Sequence, residues 1–166
     1  MLTAERIMAL LNLEPLAGEG GFFRRTYTGP EIPETEASAQ RGRRAVSSVI
    51  YYLLFDEHVS ALHRLRTDEV YHFYLGDPVE LLLLHPDGVG QVVILGSDLE
   101  AGQQVQFVVP AGAWQGSRVR PGGRLALMGT TMAPAFVPEE FELGEQAHLL
   151  ASYPEQAALI SALTRA

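Results

Sequence analysis

The chain contains no cysteine and no lysine. Without cysteine there is no disulfide, no thiolate metal ligand and no thiol nucleophile. That absence is compatible with a reducing cytoplasm. Without lysine there is no Schiff-base amine and no phosphate-loop lysine, which excludes pyridoxal phosphate chemistry and the standard P-loop NTPases. All 12 basic residues are arginine, and they leave a formal net charge of −8. A polyanion such as nucleic acid is therefore not an expected partner. Arg41, Arg43 and Arg44 form a short basic cluster that reads as a solvated loop. No apolar run approaches the roughly 18 residues of a membrane span. Glu5 and Arg6 stand where a signal peptide has its apolar core. The expectation is a soluble, cytoplasmic protein with no membrane partner.

What is present is a chain of 166 residues, 47% of them hydrophobic, enough for one domain (1–166) with a real core. Residues 3–12 read as a helix: Thr3 can cap it, and Ile7, Leu10 and Leu11 share one face. Glu14-Pro15 is expected to end it. Gly18, Gly20 and Gly21 then lead flexibly into a strand over Gly21–Tyr27, and 29–44 reads as a loop. Strands are expected at Ser47–Phe55, Val70–Leu75, Val79–His85, Val89–Leu95, Gln104–Val109, Trp114–Val119 and Arg124–Met132. Gly76-Asp77-Pro78 and Pro86-Asp87-Gly88 are turn signals between them. Such signals at intervals of roughly 8–12 residues, with no helix-length segment between strands, argue for an all-β sandwich or barrel. Pro154–Leu163 reads as a C-terminal helix with Ala158, Leu159, Ala162 and Leu163 on its apolar stripe.

The stretch from Ala61 to Gly76 is the densest in chemically capable side chains, with His63, Asp68, Glu69, Tyr71 and His72. Strand alternation puts Glu69, Tyr71 and Phe73 on one face and His72 on the other, unless a bulge reverses the parity. A histidine paired with a carboxylate inside an apolar barrel has a fixed tautomer and raised basicity, as a proton-abstracting base requires. His63 and Glu69 are the candidates for that pair, and Tyr71 for the opposing acid. The plain alternative is a satisfied buried polar pair. Pro110-Ala111-Gly112-Ala113 is a turn that delivers Trp114 and Gln115 at a strand start. Trp114 reads either as core or rim packing or as a platform for a sugar ring or a base. Arg24 alternates with Phe22 and Thr26 on the face taken as inner, where it would suit a carboxylate or phosphate or pair with Glu80. Arg24, His72, Trp114 and Gln115 are thus the candidate ligand-binding residues. His58, His85 and His148 read as surface residues.

The spacing of His63, Glu69 and Gly76, followed by Pro110-x-Gly112-x-x-Gln115, resembles the two cupin motifs. Leu65 stands in the second histidine's place, Gln115 in the third's and Val119 in that of the asparagine, while the upstream glycine is displaced to Gly102. More specifically, the runs GEGGFFRRTY, SSVIYYLL, ALHRLRTDEVYHFYLGDPVELLLL, VVPAGAWQGS and MAPAFVPEEFELG resemble the cupin_5 (DUF985) family over about residues 8–150. The resemblance implies a double-stranded β-helix (jelly-roll) barrel over about 20–133, similar in fold to the dTDP-sugar 3,5-epimerases, with a short helix at each end. It also implies a pocket for a small-molecule ligand and a homodimer. Cupin metal sites take three histidines and a glutamate. With two imidazoles replaced, no cofactor is expected; a divalent metal, if bound, would use His63, Glu69 and Gln115. The expected function is binding of a polar, sugar-like molecule with metal-free epimerase- or isomerase-like chemistry. The alternatives are a non-catalytic ligand-binding or sensor cupin and, third, a metal-dependent cupin enzyme.

Overall fold

A computed structural model describes residues 2–32, 44–56 and 58–164. Arg41 and Arg43 of the basic cluster lie outside the described residues. The first element is helix α1 (Ala4–Leu11), where the Thr3 hydroxyl accepts a hydrogen bond from the Arg6 N–H and so satisfies an end-of-helix donor. The helix stops earlier than Glu14-Pro15. Asn12 takes a left-handed conformation, φ 50°, and its N–H closes on the Met8 carbonyl. Glu14-Pro15 becomes a short strand instead.

The strands are β1 (Glu14–Pro15), β2 (Phe22–Thr28), β3 (Ser48–Phe55), β4 (Val59–Arg64), β5 (Glu69–Gly76) and β6 (Val79–Leu84). They continue with β7 (Gly90–Leu95), β8 (Gln106–Val109), β9 (Trp114–Val119), β10 (Leu125–Met132) and β11 (Glu142–Leu143). The antiparallel pairs form two sheets, in the orders β1-β2-β3-β10-β5-β8 and β11-β4-β9-β6-β7. The strands expected from the turn signals are all present. The sequence pattern does not mark β4 as a separate strand, nor the two-residue β1 and β11.

Alternation explains how the sheets face each other. Tyr52, Leu54, Tyr71, Phe73, Leu81, Leu83 and Met128 point inward into one buried cluster between the sheets. In β6 the intervening Leu82 and Leu84 are equally buried, but on the outer face. There they meet α2 (Gln146–Ser152) and α3 (Ala157–Leu163) through Leu149, Ile160 and Leu163. A strand covered on both faces has no polar side to show, which is why Leu81–Leu84 is an unbroken apolar run. Helix α3 begins after a 3-10 turn at Pro154–Gln156, and its buried stripe is Ile160 and Leu163. The expected stripe is shifted: Ala158 and Ala162 are exposed, because the 3-10 turn changes the rotation of the following helix. On the other sheet, α1 covers Leu53, Phe55 and Leu127 with Ala4 and Ile7. No helix among the described residues is long and apolar enough to cross a membrane.

Candidate functional site

A cavity of about 140 Å³ opens between the sheets, a volume of the order that holds a single six-membered ring. Its walls are Leu16, Phe23, Ile50, Leu65, Met132, Phe136 and Phe141, and its polar lining is Glu19, Arg25, Ser48, His63, Glu69 and Thr130. A few polar groups in an otherwise apolar concavity is the usual composition of a small-molecule site.

His63 comes from β4 and is 1% exposed. Its Nδ1 lies 2.8 Å from the Ala61 carbonyl. A carbonyl only accepts, so Nδ1 carries the hydrogen and the neutral ring keeps its lone pair on Nε2. Phe141 stacks on the ring, with centroids 5.1 Å apart. The tautomer is thus set by Ala61, not by Glu69 as the paired reading expects; among the described residues no hydrogen bond joins His63 to Glu69.

Glu69 opens β5, opposite Met132 and Val109. The Gln115 amide donates to its Oε2 at 2.8 Å, and the Thr130 hydroxyl also bonds it. Burial raises its pKa, the Glu19 carboxylate raises it further, and His63 with the two hydrogen bonds only partly offsets this. Glu69 is therefore a carboxyl that holds its proton more tightly than an ordinary one.

Glu19 escapes the sequence reading, which treats Gly18, Gly20 and Gly21 as a flexible lead-in. All three glycines have positive φ, at 84°, 108° and 68°, a conformation that side chains with a Cβ rarely adopt. The loop is pinned. The Ala61 N–H donates to the Glu19 carbonyl, the Tyr52 hydroxyl to the Gly20 carbonyl, and the Ser60 hydroxyl to Glu19 Oε1 at 2.7 Å. A register shift in β4 between Ser60 and His63 lets two residues three positions apart serve the same side of the sheet. The legible signal was a carboxylate set among three glycines.

The other expected site residues are placed differently. Gln115 lies behind Glu69, not in the cavity lining, and its Oε1 is buried without a partner among the described residues. Tyr71 is 1% exposed, does not line the cavity, and has its pKa raised well above 10.0 by burial, then by Glu69 and Glu19. It is an inaccessible hydroxyl rather than an opposing acid. His72 faces outward, where Nε2 meets the Thr131 hydroxyl at 3.0 Å and Nδ1 the Gln106 amide at 3.2 Å. Trp114 packs beneath α2 and α3 with Leu62 and Leu84, and the Arg64 guanidinium lies 4.6 Å from its ring centroid. It is core packing, away from the cavity.

Arg24 also faces outward, its guanidinium 5.6 Å from the Tyr51 ring centroid, while the neighbouring Arg25 lines the cavity. The parity is fixed by register. Phe23 pairs with Tyr52 and Arg25 with Ile50, both inward, whereas Arg24 pairs with Tyr51. Glu80, the expected alternative partner of Arg24, is bonded to Arg118.

Arg44 is not solvated. It reaches Glu140 at 2.9 Å, the Thr67 hydroxyl at 2.8 Å and the Pro134 and Ala135 carbonyls. These bonds tie down the segment after β10 that brings Phe136 and Phe141 against the cavity.

The residues present do not fit the metal set of the cupin motif. Leu65 is apolar, Gln115 turns its amide nitrogen to Glu69, and no three His, Asp or Glu side chains among the described residues are grouped to hold a metal ion.

Two facing antiparallel sheets, with a polar-floored cavity at one end of a shared apolar core, define a cupin barrel. Comparison with known proteins narrows this. The chain belongs to the family described as Cupin_5: Cupin superfamily (DUF985), whose pattern matches residues 5–144. It is similar to protein SO0799 from Shewanella oneidensis, with 35% identity, TM-score 0.87 and 99% of each chain covered. It is also similar to a hypothetical protein from Leishmania major, with 30% identity, TM-score 0.87, and 99% of this chain and 100% of that one covered. The uncharacterized protein YML079W of Saccharomyces cerevisiae is 29% identical over 160 residues, which cover 87% of this chain and 78% of that protein. A cupin 2 conserved barrel domain protein from Rhodopseudomonas palustris, at 12% identity and TM-score 0.55, shares the fold alone.

Proposed function

We propose that this cupin binds a polar, sugar-sized molecule in the cavity and transfers protons on it, as an epimerase or isomerase does. The observation that carries the reading is that two unlike proton groups line one apolar cavity. His63 has Nδ1–H committed to Ala61 and an acceptor lone pair on Nε2, and Glu69 is a carboxyl whose pKa burial has raised. Titratable groups pushed toward different roles by their surroundings are what acid–base catalysis uses. In the simplest scheme His63 Nε2 takes a proton from a carbon beside a carbonyl. The C–H electron pair becomes a C=C bond, and the carbonyl π pair takes the proton of Glu69 to give an enol. Where the first carbon bears a hydroxyl, His63 returns its proton to the former carbonyl carbon and Glu69 recovers a proton from that hydroxyl, whose carbon becomes the new carbonyl, so the isomer forms and both groups are restored.

The test is solvent exchange. A panel of aldoses, ketoses and sugar-derived keto acids is incubated in deuterium oxide with the protein, and loss of the α-proton signal is followed by proton NMR. Exchange is expected with the wild type, and a fall of about 100-fold or more with His63→Ala or Glu69→Gln. Binding at the cavity without exchange would replace catalysis by a ligand-binding role. Neither binding nor exchange across the panel would overturn the reading.

We also propose that the chain forms a homodimer through β8. Among the described residues that strand has β5 on one side and no neighbour on the other in its sheet, and Val105 just before it and Val108 within it are 46% and 50% exposed. An open antiparallel edge can pair with its own two-fold copy, which removes the unpaired backbone groups.

A further inference from the structure

Arg25 takes no part in the proton transfers above, yet its side chain lines the cavity and is exposed at its rim. It has no hydrogen-bond or ion-pair partner among the described residues. Arg44 and Arg64 are by contrast committed to Glu140 and Glu142. The cavity's own acids form no ion pair with Arg25 either; their hydrogen bonds go elsewhere. Glu19 accepts from Ser60, and Glu69 from Gln115 and Thr130. The cavity therefore has at its mouth a guanidinium without a partner among the described residues, and hydrogen-bond acceptors on buried side chains deeper in.

We infer that the ligand is a ring-sized hydroxy acid, its carboxylate or phosphate held by Arg25 at the mouth and its hydroxyls directed to His63 and Glu69. This rests on the ligand-binding reading above and names its substrate class. A planar guanidinium matches an anionic fork in two parallel hydrogen bonds. The Glu19 carboxylate beside Glu69 repels an anion, so it disfavours the reversed pose and orients the molecule. The flat apolar walls of Phe23 and Phe141 suit a ring, and a cavity of about 140 Å³ is of the size of one.

Matched pairs test this. D-glucuronate is compared with D-glucose, D-glucose 6-phosphate with D-glucose, and quinate with myo-inositol, by calorimetry on wild type, Arg25→Gln and Arg24→Gln. Wild type should bind at least one acid about tenfold or more tightly than its neutral counterpart. Arg25→Gln should remove that preference, and Arg24→Gln should keep it. The carboxylate and phosphate arms identify which anion is preferred. Equal binding of acid and neutral partner by wild type, or a preference that survives Arg25→Gln, would overturn the inference and leave the ligand-binding reading standing. If no member of any pair binds, both fall.

Discussion

Glu69 carries a testable cost. The folded protein holds its proton more tightly than the unfolded chain, because burial and the neighbouring Glu19 carboxylate disfavour the ionised form. A carboxyl with a raised folded-state pKa contributes stability that is full below its ordinary value of 4.5 and is lost as pH rises through the folded value. Glu69→Gln keeps the shape and cannot ionise. Its Tm relative to wild type should therefore climb as pH rises from about 4 to about 8, read by thermal melts of both proteins across that range. A gap that stays constant with pH would mean that Glu69 ionises as freely in the fold as in the unfolded chain. Glu19 shows why such a site is hard to see residue by residue. Its role depends on a loop whose glycines only make sense once Ser60, Ala61 and Tyr52 are found bonded to it.

Elements decide which side chains can meet a ligand. Trp114 and Gln115 are adjacent in β9, yet one lies under the C-terminal helices and the other behind Glu69, because successive strand residues face opposite ways. Trp114→Ala should cost about 3–5 kcal/mol, as for a large aromatic removed from a packed core, and should leave affinity at the cavity unchanged. Urea denaturation and the calorimetry described above read the two quantities separately. A large loss of affinity with little loss of stability would return Trp114 to the role of a ligand platform. The segment that supplies Phe136 and Phe141 behaves as an element too. It has little regular structure beyond a 3-10 turn at Pro138–Glu140 and the short β11, and Arg44 fastens it to the barrel from across the chain.

At the scale of the whole molecule, the open edge at β8 makes self-association a measurable property. Sedimentation of the wild type should give twice the chain mass. The double variant Val105→Arg, Val108→Arg should sediment as a monomer, since like charges brought edge to edge repel. A monomeric wild type would sink the proposal. The barrel itself was legible in the sequence. Its turns are marked by glycine and proline, its strands by alternation or by runs such as Leu81–Leu84, and the shared face of Glu69, Tyr71 and Phe73 in β5 follows from period two alone. What those local signals determine is the existence of strands and the relative parity within each one. They do not determine absolute direction. Arg24 and Arg25 could not be told apart until the pairing of Phe23 with Tyr52 chose which of them turns inward. Nor could Ser60 be joined to His63 before the register shift in β4 was known. The ends of a cupin barrel are closed by segments distant in sequence, here the glycine loop before β2 and the strap after β10. The site was left to tertiary structure because its cavity walls, its second carboxyl and Arg25, unpaired among the described residues, come together only when the two sheets close.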